Sequence, residues 1–119
     1  MATVSAVQIA RITLAAEDVD RIVAFYDAVL STGLKKSGDG PFWRGTLAGI
    51  PLVICPNSIA EVDARQNRHQ LRLAVADPGA LLAAAAASGG EVIQQWDESS
   101  GLGAFRDPEG NSYDVCATG

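Results

Sequence analysis

The 119-residue sequence has no apolar run approaching the ~18 residues that a membrane-spanning helix needs. Met1 is not followed by the basic-then-apolar order of a secretory leader. Its two cysteines, Cys55 and Cys116, lack the CxxC spacing of a zinc or dithiol redox centre, so free, partly buried thiols are expected. Basic residues are the minority: 9 Lys and Arg stand against 14 Asp and Glu, for a net charge of −5 and a pI near 4.6. Such a surface repels nucleic acid and anionic membranes on average, and neither is expected as a partner. Gly38–Gly40 is not a phosphate loop, because no helix start follows it and no Lys/Ser pair is placed for one. These absences point to a cytoplasmic protein.

What is present suits one globular domain, with 48% apolar and 19% charged residues. The most informative stretch is Phe105-Arg106-Asp107-Pro108-Glu109-Gly110-Asn111-Ser112-Tyr113-Asp114-Val115, a turn signal followed at once by a closing strand. Its shape recurs upstream. Gly49-Ile50-Pro51-Leu52-Val53-Ile54-Cys55 aligns with Gly110-Asn111-Ser112-Tyr113-Asp114-Val115-Cys116 at an offset of 61. Likewise Arg11-Ile12-Thr13-Leu14-Ala15-Ala16-Glu17-Asp18 aligns with Gln70-Leu71-Arg72-Leu73-Ala74-Val75-Ala76-Asp77 at an offset of 59, each an alternating strand ending in Asp. One module written twice, with a small indel, accounts for both.

Period-two alternation over 7–16 predicts a first strand. Asp18 is then the expected N-cap of a helix carrying Ile22, Val23, Phe25, Tyr26, Val29 and Leu30 at helical spacing, closed by a left-handed Gly33. Strands are predicted near 34–36 and 42–47, split by the turn cluster Ser37-Gly38-Asp39-Gly40-Pro41, and over 50–55. The polar stretch 57–68 is the expected linker, with one helical turn around Ile59–Val62. The order then repeats: a strand over 69–76, a helix capped by Asp77 with Pro78 at its first position and ended by Gly89-Gly90, and strands over 91–96, 103–106 and 112–117. The chain is thus expected to be one α+β domain, 1–119. It comprises a first βαβββ module (7–56) and a second (69–117), forming a paired, curved, incomplete β-barrel with the helices outside.

A βαβββ unit covers the convex face of its sheet with its own helix and leaves the concave face bare, so two units together can line a small-molecule cleft. Alternation assigns the faces. Ile12, Leu14, Leu71, Leu73, Val75, Tyr113 and Val115 belong to the helix side. Arg11, Thr13, Gln70, Arg72, Ala74, Ser112, Asp114 and Cys116, with Val53 and Cys55 of the other module, belong to the cleft.

The paired modules, the helix start Asp18-Val19-Asp20-Arg21 with Phe25-Tyr26, and the ending Asp107-Pro108-Glu109-Gly110-Asn111-Ser112-Tyr113-Asp114 resemble the vicinal oxygen chelate superfamily over 7–117. That group includes glyoxalases, bleomycin resistance proteins and extradiol dioxygenases. In its metal-using members the resemblance implies ligands at the start of each module's first strand and on each module's last strand. Here those positions hold Arg11, Val53, Gln70 and Asp114. A guanidinium and a valine cannot ligate a divalent ion, which leaves fewer than three protein ligands. His69 is one residue out of register and is expected on the opposite face, which leaves no Ser-His-Asp or Cys-His set in the cleft. The site is therefore expected to hold no metal and no cofactor.

Arg11 or Arg72 is then the expected holder of a carboxylate or enolate-like oxygen, with Thr13, Gln70 and Asp114 as polar neighbours and Trp43, Trp96 and Phe105 as apolar lining. The competing structural readings are a closed polar network of Arg11, Gln70, Arg72 and Asp114, and aromatics that pack the core. The functional expectation is a metal-independent binder of a small organic molecule, and a homodimer. One alternative is an enzyme of the same superfamily, an isomerase, lyase or dioxygenase-like protein using Asp114 as base or a metal. Another is an interaction module with no small ligand.

Overall fold

Two short polar side chains start the helices and so set where the sheets can begin. The Asp18 carboxylate accepts the Arg21 N–H at 3.2 Å and the Asp77 carboxylate accepts the Ala80 N–H at 3.0 Å, each satisfying a donor that the first helical turn leaves free. The structure, a computed structural model, describes residues 9–60 and 69–118. The first module runs β1 (Ile12–Ala16), α1 (Val19–Leu30), β2 (Lys35–Lys36), β3 (Trp43–Leu47) and β4 (Ile50–Pro56). A short α2 (Asn57–Ala60) follows, and the second module runs β5 (Leu71–Val75), α3 (Pro78–Ala87), β6 (Glu91–Asp97), β7 (Leu102–Arg106) and β8 (Ser112–Ala117).

Each module folds into its own four-stranded sheet, ordered β1-β4-β3-β2 and β5-β8-β7-β6, and the two sheets are not closed into a barrel. The first and last strands of each module pair in parallel and the others antiparallel. In these ladders Thr13 lies opposite Val53, and Arg72 opposite Asp114. The separations between modules are thus 59 positions on the first strand and 61 on the last, the offsets of the sequence repeat.

The core lies between the sheets' helix-side faces and the two helices. Ile22, Val23, Phe25, Tyr26 and Val29 of α1 and Leu82 and Ala85 of α3 are buried there with Leu52, Ile54, Leu73, Phe105, Tyr113 and Val115. Each large side chain so buried contributes about 1.5–3 kcal/mol. Leu71 shares this face through its pairing with Tyr113 but stays partly exposed.

Some boundaries differ from the sequence expectation: β1 begins at Ile12, so that residues 9–11 of the expected strand lie outside it, β5 is shorter at both ends, and the first helix ends early. Helix α1 stops at Leu30, and Ser31, not Gly33, is its left-handed cap, at φ 51°. Asp27 explains this: its carboxylate accepts the Thr32 hydroxyl at 2.7 Å and the Leu34 N–H at 2.9 Å, pulling the chain back under the helix end. Gly33 still takes a left-handed conformation two residues later, at φ 62°. Residues 7–8 of the expected first strand and 61–68 of the expected linker lie outside the described residues. Among the described residues no helix is long and apolar enough to cross a membrane.

Candidate functional site

The sheet faces turned away from the helices carry the candidate site, and the ladders say which side chains share them. Directly opposed residues point to the same side of a sheet. In the second sheet one such row is Arg72, Asp114, Ala104 and Gln94, from four different strands. The neighbouring row holds Ser112, Arg106 and Glu91, and Gln70, just before β5, donates to the Ser112 hydroxyl at 2.9 Å. In the first sheet the corresponding row is Thr13, Val53, Arg44 and Lys35.

The second sheet's face is closed in charge. Arg72 meets the Asp114 carboxylate at 3.4 Å, and Arg106 meets Glu91 at 2.7 Å. Gln94 donates to the Leu102 carbonyl at 3.4 Å. The Arg72 side chain is 55% exposed and Asp114 29%, so their attraction is screened by water and is worth little to stability. Arg11 lies just before β1, exposed, and among the described residues no carboxylate stands within ion-pair distance of it. Its field reaches the Cys55 thiol: burial pushes that thiol's pKa up, and the Arg11 charge pulls against the rise. Cys55 and Val53 are buried, on the central strand of their sheet. Cys55 and Cys116 are both free thiols.

Of the eight binding residues expected from the sequence, Gln70, Arg72 and Asp114 are brought together with Ser112. Thr13 and Arg11 sit on the first sheet. Phe105 is removed from the set. It has no exposed surface and lies in the core, stacked on Tyr113 with ring centroids 5.2 Å apart and tilted against Phe25 at 6.2 Å. The reason is register: Phe105 opposes Tyr113, which faces the helices. Trp43 opposes the fully buried Ile54 and, like Trp96, packs against the core from its edge, so neither stands in the row of Arg72 and Asp114.

Arg44 and Lys35 also stand on the first sheet's helix-free face: strand β3 alternates Trp43, Gly45 and Leu47 with Arg44 and Thr46, and Lys35 opposes Arg44.

Among the described residues no group of three or more His, Cys, Asp and Glu side chains is placed to hold a metal ion. The two potential ligands left at the implied positions are engaged, Gln70 with Ser112 and Asp114 with Arg72. His69 precedes β5 and is exposed. Among the described residues these positions do not assemble a donor set that fits a divalent ion.

The closing motif has a different office. Asp107, 3% exposed, accepts the Glu109 and Asn111 N–H groups on one oxygen and the Asn111 amide and Tyr26 hydroxyl on the other. The Tyr26 and Tyr113 hydroxyls are 2.6 Å apart, and since Tyr26 donates to Asp107, Tyr113 must donate to Tyr26. Glu109 then reaches the start of α1, accepting the Glu17 N–H at 2.8 Å and the Asp18 N–H at 2.7 Å. The motif that stands out most in the sequence thus ties the second module to the helix of the first.

Residues 11–116 match the family model described as a glyoxalase-like domain. The chain belongs to the glyoxalase-like domain family. Solved structures agree in fold. A glyoxalase/bleomycin resistance protein/dioxygenase family enzyme from Burkholderia phytofirmans PsJN is 17% identical with a TM-score of 0.78, covering 93% of this chain and 98% of its own. A hypothetical protein from S. aureus is 16% identical with a TM-score of 0.77 and 96% of both chains covered. The genomically encoded fosfomycin resistance protein of Listeria monocytogenes is 15% identical with a TM-score of 0.73, covering 98% of this chain and 96% of its own. No curated protein sequence matches the chain. This glyoxalase-like chain therefore shares its architecture with the vicinal oxygen chelate proteins, while its site must be argued from its own residues.

Proposed function

We propose that this glyoxalase-like protein binds a small organic molecule on the sheet faces turned away from its helices, without a catalytic metal. The observation that carries the reading is the unequal charge balance of those faces. Arg72 is answered by Asp114, but Arg11 has no acid among the described residues and shares its face with the apolar Val53 and Cys55. Apolar side chains beside a few convergent polar groups are the usual surroundings of a ligand site. Metal independence is supported by the donor set, in which a guanidinium and a valine occupy two of the four positions where the superfamily resemblance implies ligands. The protein is proposed to act as a cytoplasmic homodimer.

A thermal-shift screen of the purified protein tests this, using aromatic and carboxylate metabolites, hydrophobic cationic drugs and thiol conjugates. A ligand of the native state raises the apparent melting temperature. The outcome expected is protection by a small molecule, reduced in Arg11→Met and Arg72→Met. An Arg72→Met variant that is more stable and equally well protected would remove Arg72 from the site. A stoichiometric divalent ion in protein purified without chelator would overturn the metal-free reading.

A further inference from the structure

The first sheet's helix-free face holds three cations and, among the described residues, no acid, although the chain as a whole carries a net charge of −5. Two of them are directly opposed. Lys35 on the edge strand β2 pairs with Arg44 on β3, so both side chains leave the sheet on the same side at neighbouring positions. Like charges in direct opposition destabilise a strand pair. The second sheet solves the same problem internally, with Asp114 beside Arg72 and Glu91 beside Arg106. Among the described residues the first sheet has no such ion pair. The Arg44 guanidinium lies 5.8 Å from the centre of the Phe42 ring, which steadies its position without neutralising it. Across the row come the buried Val53 and then Thr13, with Arg11 just before the same strand. Four strands at the usual spacing make this row about 14 Å long, the length of a small organic molecule.

We propose that Lys35 and Arg44 form an oxyanion-binding pair, so that the ligand of this protein is a small organic acid whose carboxylate-type head sits between them while its body extends along the row toward Thr13 and Arg11. The inference rests on the reading that the helix-free faces bind a small molecule, and adds the charge of the ligand and the residues that select it. A planar guanidinium beside an ammonium suits a carboxylate. An anion there turns a repulsive pair into two attractive ones. Lys36, next in sequence, opposes Trp43 on the other face and has no part in the site.

The test measures binding of isophthalate, benzoate and benzyl alcohol by calorimetry and thermal shift, at low and high salt, to the wild type and to Lys35→Gln, Arg44→Gln and Lys36→Gln. Circular dichroism checks that each variant is folded. The expected result is that isophthalate binds more tightly than benzoate and benzyl alcohol least. Salt should weaken the acids. Lys35→Gln and Arg44→Gln should each weaken isophthalate about tenfold, with Lys36→Gln unchanged.

Lysines also serve to blunt exposed sheet edges. If that is all Lys35 does, isophthalate will bind Lys35→Gln and Arg44→Gln as it binds the wild type, and the proposal falls. Benzyl alcohol binding as tightly as isophthalate also overturns it, while leaving the small-molecule reading intact. So does a lack of binding by both acids at millimolar concentration. The small-molecule reading itself then falls only if the neutral, cationic and thiol-conjugate ligands of the wider screen fail as well.

Discussion

Tyr26 has no exposed surface, yet its hydroxyl lies between the Asp107 carboxylate at 2.7 Å and the Tyr113 hydroxyl at 2.6 Å, both from the other module. Its ring meets Phe25 and Tyr113 edge-on, at centroid distances of 5.7 and 6.2 Å. One residue thus supplies apolar burial and two hydrogen bonds across the seam between modules. Tyr26→Phe keeps the ring but strands the Tyr113 hydroxyl without its acceptor and takes one of two donors from an Asp107 oxygen. A loss of about 1–3 kcal/mol is expected, visible as a lower urea midpoint with an unchanged slope. Arg11 makes the contrasting case: exposed, with its charge felt by the Cys55 thiol.

Helix α1 is the element that joins the two modules. It starts where Glu109 grips the Glu17 and Asp18 N–H groups, and it presents Phe25 to Phe105 and Tyr26 to Tyr113. Helix α3, by contrast, has alanine at six of its ten positions and packs closely on its own sheet. The chain leaves α3 through Gly89, at φ 96°, into Gly90, where a Cβ would stand 2.5 Å from the Arg106 carbonyl oxygen and 2.7 Å from the Phe25 ring. Neither obstacle is the far end of a flexible chain. Gly90→Ala should therefore cost about 1–3 kcal/mol by overpacking, read as a lower melting temperature. Gly89 and Gly90 are legible in the sequence as a helix stop; that Gly90 also admits a ring from the first module is not.

For the whole molecule, the buried tyrosine pair sets an alkaline limit. Burial, chiefly, pushes Tyr113 up to about 12 and holds Tyr26 well above the usual tyrosine value of 10.0, with the nearby Asp107 charge adding to both. The unfolded chain releases both protons near pH 10, whereas the folded chain keeps them. The unfolded state then binds fewer protons, so stability is whole below pH 10 and falls as pH rises from 10 toward 12 and beyond. Tyrosinate absorbance during alkaline titration should rise late and together with loss of ellipticity. In Tyr26→Phe the pH dependence of stability should be flatter, with one such proton fewer to lose.

How far the sequence went depends on range. Apolar spacing, the caps Asp18 and Asp77, and the turn residues act within a few positions, so they determined the elements, the repeat and the helix-side face of each sheet before any contact was known. The offsets of 59 between Thr13 and Arg72 and of 61 between Val53 and Asp114 are ladder registers written in the chain. The placing of Phe105, Trp43, Arg44 and Lys35 was decided in the tertiary structure. Whether an aromatic fills a core or lines a surface depends on what lies across the strand, and Tyr113 and Ile54 lie there. Likewise a cation is balanced or unbalanced by neighbours many positions away: Arg72 has Asp114 beside it, and Arg44 has Lys35. Local sequence sets which residues share a face, but the sum of charges on that face exists only once the strands have come together.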